Sequence, residues 1–136
     1  FPNPADYPVK PASYPESWSR TYPGGKYWYF YTLNDNAMAD TIDALLLAGN
    51  IYGEPKYRHA ALKGGEFLLL AQMPEPQPAW AQQYDFDMHP CWARKFEPAS
   101  ITGGESQGAA ELRHGVVHRR LERSHRREGI EGRRPG

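Results

Sequence analysis

Between Asn34 and Gln72 the apolar residues recur at three- and four-residue intervals, and the pattern breaks once, at Gly53-Glu54-Pro55. That spacing predicts two amphipathic helices joined by a tight turn. Asn34 or Asp35 can accept a hydrogen bond from the free N–H groups of the first helical turn. Met38, Ile42, Leu45, Leu46, Gly49 and Ile51 then form one stripe, with Asp40 and Asp43 away from it. Pro55 suits the first turn of the second helix, where its missing N–H is harmless. Tyr57, Ala61, Gly64, Leu68 and Ala71 mark the buried side of that helix, which runs to about Gln72. Gly64 and Gly65 in its middle cost about 1 kcal/mol each relative to alanine, a penalty tolerated where two helices must approach closely. A hairpin with one stripe per helix cannot close its own core. More helices must pack beside it, as in a bundle, a solenoid or an α/α toroid. Thr102, with Glu105 three residues later, can cap a third helix through GESQGAAELRHGVVHRRLE.

The stretch 78–106, PAWAQQYDFDMHPCWARKFEPASITGGES, cannot continue this scheme. Pro90 and Pro98 each remove a backbone donor and bias the preceding residue away from helical geometry. A long ordered loop is expected, and connections of that length in a domain tend to be functional. Trp80 and Trp92 beside Asp85, Arg94 and Lys95 are what a groove for a charged sugar needs. A tryptophan in a helical protein can equally be core. His89 and Cys91 are one residue apart with no second ligand pair, which does not make a zinc site. His114 and His118 share a helical spacing without an accompanying carboxylate motif, and none of the paired glycines has the spacing of a phosphate loop.

Residues 1–25 alternate Pro with Tyr, Asp and Ser and form an extended arm, either a linker or a segment pinned by Tyr7, Tyr14 and Trp18. KYWYFYTL at 26–33 is β-prone, and its aromatics are expected to pack. The 136 residues carry no net charge, yet eight of the eleven arginines lie between Arg113 and Arg134. Everything before Arg113 is therefore net acidic. No apolar run approaches the length of a membrane span. The start at Phe1 reads as a piece of a longer protein. From about Gly108 onward the wording resembles an out-of-frame translation of GC-rich DNA.

Three motifs are similar to the α/α-toroid pectate lyases, also called pectic acid lyases. They are YTLNDNAM at 31–38, EFLLLAQ at 66–72, and AWAQQYD at 79–85 followed by WARKFEPASITGGES at 92–106. The resemblance spans about residues 22–108. It implies an all-α fold, a partial α/α toroid of antiparallel helical hairpins with long functional loops. The chain then divides into an arm at 1–25, a partial toroid domain at 26–108 and an Arg-rich tail at 109–136. The implied activity is calcium-dependent β-elimination of α-1,4-polygalacturonate, in a parent protein that is secreted or periplasmic. By the same resemblance Asp35 takes part in catalysis or calcium coordination, and Asp85 is similarly placed. The family's candidate base, an arginine in a later segment, has no counterpart here.

β-Elimination from a uronic acid needs a base for the C5 proton and a cation on the C6 carboxylate to make that proton acidic. Calcium takes oxygen ligands, which Asp35, Asp85, Asp87 and Glu97 can offer together with substrate. Asp35 could also be only a helix cap, and Asp87 only a solvated loop acid. Arg94 and Lys95 are the pair best suited to substrate carboxylates, unless they pair with Glu97 instead. Arg94 is not given the role of base, because an arginine stays protonated. Two other functions compete with the lyase. One is a carbohydrate-binding remnant that lacks the base. The other is an acidic-surface or nucleic-acid binder working through the Arg-rich tail, which the lack of any recognition motif disfavours. No nucleic-acid or membrane partner is expected, and oligomeric state is not readable.

Overall fold

The computed structural model describes residues 8–104 and 106–115. Its helical pair lies where the stripes place it. α1 spans Ala37–Tyr52 and α2 spans Pro55–Ala71, with Gly53 at φ +68° ending α1 and Pro55 opening α2. Ile42 meets Gly64 and Gly49 meets Arg58, so positions advance along one helix as they retreat along the other. The pair is antiparallel. A Cβ built on Gly64 would lie 2.8 Å from Ile42 Cγ1, which is why glycine is tolerated there despite its helix penalty. Ile51 departs from its expected place. It is 66% exposed, and its neighbours Leu47 and Tyr52 are exposed too, because they lie on a side of α1 that α2 does not cover.

α2 has no glycine to terminate it, since Gln72 is extended. The last four carbonyls of a helix lack internal partners, and here distant residues supply partners for three of them. Trp80 Nε1 donates to the Leu68 carbonyl (2.8 Å), the Ala12 amide to that of Leu70 (2.7 Å), and the Tyr84 hydroxyl to that of Ala71 (2.6 Å). Tyr84 Oη also accepts the Ala81 amide at 2.7 Å, and burial holds the phenol far above its ordinary pKa. This end of α2 thereby fixes the segment 79–85 and draws in the arm.

The all-α expectation is overturned by two short antiparallel ladders. β1 (Tyr31–Thr32) pairs with β3 (Gln83–Tyr84) in the register Tyr31 to Tyr84 and Thr32 to Gln83. β2 (Trp80–Ala81) pairs with β4 (Ile101–Thr102), Trp80 opposite Thr102. The described residues thus form a mixed structure, helices with small sheets, rather than an all-α toroid. The long loop between Pro78 and Ser106 is partly laddered. The physical reason is the backbone: prolines bar a helix in this stretch, and its buried N–H and C=O groups still need partners.

Residues 103–104 and 106–115 are helical (α3), and Ala109 is buried among the core side chains. Helical order therefore continues past Gly108, where the family resemblance was expected to end. The capping role of Glu105 and all readings of residues 116–136, His118 and the tail arginines past Arg113 included, lie outside the described residues, as does Tyr7. The arm is no mere linker over its described part. Ala12 is buried, Ser13 N–H bonds to the Met88 carbonyl, Tyr14 Oη donates to the Pro74 carbonyl, and Lys10 pairs with Asp87 at 2.8 Å. The core gathers Leu33, Ile42, Phe67, Leu68, Met73, Trp80, Tyr84 and Met88 where α2, the ladders and the arm converge.

Candidate functional site

The turn Asn34–Asn36 joins β1 to α1, and the Leu33 and Asn34 amides both bond to the Gln82 carbonyl. Anchored there, the chain must reverse sharply before the helix begins. Asp35 (φ 55°) and Asn36 (φ 58°) do so in the left-handed region, which costs a non-glycine residue of order 1 kcal/mol each. Neither Asn34 nor Asp35 performs the expected capping. Asn36 holds the cap position, with no side-chain cap bond. Instead Asn34 Oδ1 accepts the Asp35 amide (3.1 Å) and Asn34 Nδ2 donates to Glu97 Oε2 (2.9 Å). Asp35 is left with a side chain 76% exposed.

Opposite lies a β-turn, Arg94 to Glu97, closed by Glu97 N–H on the Arg94 carbonyl at 2.8 Å. Its first and fourth side chains pair. Arg94 Nε donates to Glu97 Oε2 at 2.7 Å and Nη2 to Oε1, a forked contact that favours both charges. The hydrogen bond from Arg94 holds the Glu97 carboxyl below its usual range, and the same bond raises the Arg94 pKa further. Arg94 Nη2 also lies 3.6 Å from Asp35 Oδ2. Asn34, Asp35, Arg94 and Glu97 therefore form one connected cluster, two carboxylates around one guanidinium.

The other expected site residues are distributed differently. Asp85 heads its own turn: its Oδ1 accepts the amides of Asp87 (2.9 Å) and His89 (3.0 Å), so half of its carboxylate serves the local backbone. Trp80 is 3% exposed, hydrogen-bonded to α2, and cannot stack on a sugar. Burial of its large ring at the end of α2 decides the question between core and groove in favour of core. Trp92 is half-buried against the arm, its Nε1 on the Ser19 carbonyl (3.1 Å) and its ring 5.6 Å from Tyr22. Lys95 is exposed at the tip of the Arg94 turn. Asp87 is paired with Lys10, whose hydrogen bond lowers its pKa. Burial pushes the Cys91 thiol up to about 12, which suits an inert core group and not a metal thiolate.

Two contributors were hidden in the sequence. Asn34 was weighed as a cap and acts as the clamp between the two halves of the cluster. Tyr27, whose carbonyl accepts Gln83 Nε2, ties the turn Tyr27–Tyr29 to β3. The Arg-x-x-Glu spacing within a turn was the only signal for the ion pair. A surface recess of about 450 Å³ at the far end of the hairpin, lined by Gly49, Arg58 and His59, involves none of these residues.

Among the described residues, then, the fold presents an exposed carboxylate and a fixed guanidinium side by side, a combination suited to ligands that carry both cations and carboxylates. The sequence pattern of the pectic acid lyases matches residues 3–114, most of the chain, and the chain belongs to that family. The match is wider than the expected 22–108 at both ends, and it takes in most of the arm. No curated protein and no solved structure matches the chain. Membership places it among polysaccharide lyases whose family substrate is pectate. No described helix is long and apolar enough to cross a membrane.

Proposed function

We propose that the chain acts on α-1,4-polygalacturonate by calcium-assisted β-elimination, with Asp35 and Arg94 at the face that holds the uronate. The C5 proton passes to solvent water, since Arg94 stays cationic and Glu97 is engaged. The C4–C5 double bond forms, and the bond from C4 to the glycosidic oxygen breaks, that oxygen leaving as the hydroxyl of the departing chain. The observation that supports this most is the backbone at Asp35: a residue held in a strained conformation, making no cap, and exposing its carboxylate 3.6 Å from Arg94. Strain of this kind persists only where the surroundings over-determine it, and it clusters at functional sites.

Calcium takes about six to eight oxygen ligands. Among the described residues no three His, Cys, Asp or Glu side chains converge as a metal site. Asp35 fits as one exposed oxygen donor, whereas Asp85, in its own turn, keeps one carboxylate oxygen uncommitted but is not joined to the Asp35 cluster. Substrate carboxylates and solvent would then complete the shell. When bound, calcium draws charge from the C6 carboxylate and makes the C5 proton more acidic. Arg94 does pair with Glu97 through Nε and Nη2, so its Nη1 is the edge left to meet a carboxylate of the polymer, and Lys95 adds a second positive charge at the same turn.

Binding without turnover is the second reading. Its support is that Arg94 is held protonated and Glu97 is engaged by both Arg94 and Asn34, so neither is placed to take a proton. Addition of polygalacturonate and calcium, with ultraviolet detection of an unsaturated product, separates the two. Product that disappears in Asp35→Asn supports elimination at this site. Calcium-dependent binding without product supports the second reading.

A further inference from the structure

Phe96 is the most exposed large apolar side chain among the described residues, at 75%. It occupies the third position of the Arg94–Glu97 turn, which is closed by the Glu97 amide and braced by the Ala93 amide on the Glu97 carbonyl at 3.1 Å. The Arg94 guanidinium lies over one face of the ring, 5.2 Å from its centroid, and is itself forked onto Glu97. The ring is therefore positioned from one side and open on the other.

We propose that the open face of Phe96 forms a stacking subsite for a uronosyl ring whose carboxylate reaches past the ring edge to the positive charge of the same turn, Arg94 and Lys95. A pyranose presents a face of C–H groups that suits an aromatic face, and a uronate adds the negative charge that suits the neighbouring cation. A protein partner fits less well, because Phe96 is bordered by Arg94, Lys95 and Glu97 instead of by a contiguous apolar patch. The subsite rests on the polygalacturonate reading above and names the residue that holds the sugar ring itself.

The test is calorimetry on the full chain with α-1,4-linked trigalacturonate, in calcium and in chelator, and with the neutral galactose trisaccharide of the same linkage. Phe96→Leu keeps apolar bulk and removes the flat face, while Phe96→Trp keeps the face. The expected result is binding about five- to tenfold weaker in Phe96→Leu, in calcium and in chelator alike, and restored in Phe96→Trp. Far-ultraviolet dichroism unchanged from wild type confirms that so exposed a substitution leaves the fold intact. Equal binding by wild type and Phe96→Leu overturns the subsite, and the lyase reading then stands if calcium-dependent binding persists. Phe96-dependent binding of the neutral trisaccharide alone keeps the stacking and overturns the uronate reading. Binding of neither sugar overturns both.

Discussion

Asp35 is held in a backbone conformation that glycine adopts at no steric cost and alanine resists. If its carboxylate serves the ligand and not the fold, the two substitutions should separate stability from binding. Asp35→Gly is expected to be more stable than Asp35→Ala by about 1 kcal/mol in urea unfolding. Both should lose calcium-dependent binding. Glu97 gives a pH dependence of definite sign. Its carboxyl is depressed below the unfolded value, so its contribution to stability is complete above about pH 4.3 and is lost as pH falls through the lower folded value. The urea midpoint should therefore drop on acidification, and less steeply in Glu97→Gln, which cannot titrate. An equal slope in the variant would assign the loss to other carboxylates. At this scale the sequence was half legible. The residue types and motifs point to Asp35 and Arg94, and the two do meet. Asn34 was seen as a cap because Asn before a helix ordinarily is one, and only the three-dimensional approach of Glu97, 63 positions away, reveals the clamp.

The helical hairpin was readable because periodicity reports burial directly, and its glycine contact is testable. Gly64→Ala forces a Cβ to 2.8 Å from Ile42 Cγ1, so the overpacking, typically about 1–3 kcal/mol, should outweigh the gain in helix propensity. A stabilised variant in urea would mean that the helices can separate at little cost. The end of α2 was not readable, because its carbonyl partners come from Ala12, Trp80 and Tyr84 and no local pattern announces them. Tyr84→Phe should cost about 1–3 kcal/mol by leaving the Ala71 carbonyl and the Ala81 amide unpaired. The same satisfied helix end explains why Trp80, expected to stack on sugar, is core. The β-prone reading of residues 26–33 covers β1, but its two-residue partners at 80–84 and 101–102 carry too little alternation to register as strands, so the mixed character of the fold is masked by the helical signal.

At the scale of the whole molecule, one anchoring arrangement serves both fold and site. The end of α2 fixes Trp80 and Tyr84; β3 then aligns β1, and the Gln82 carbonyl holds Leu33 and Asn34 at the point where the chain turns through Asp35. The site is positioned by the core and does not rest on a free loop, consistent with a family match that runs through arm, hairpin, ladders and most of α3. The central claim is that Asp35 beside Arg94 joins this fold to a calcium-bridged uronate. Calorimetry with trigalacturonate, run in calcium and in chelator on wild type and Asp35→Asn, tests it most directly. The account predicts that wild type binds more tightly in calcium by at least about tenfold and that Asp35→Asn shows the same weaker affinity in both conditions. A calcium increment that survives in Asp35→Asn, or one absent from wild type, would contradict it.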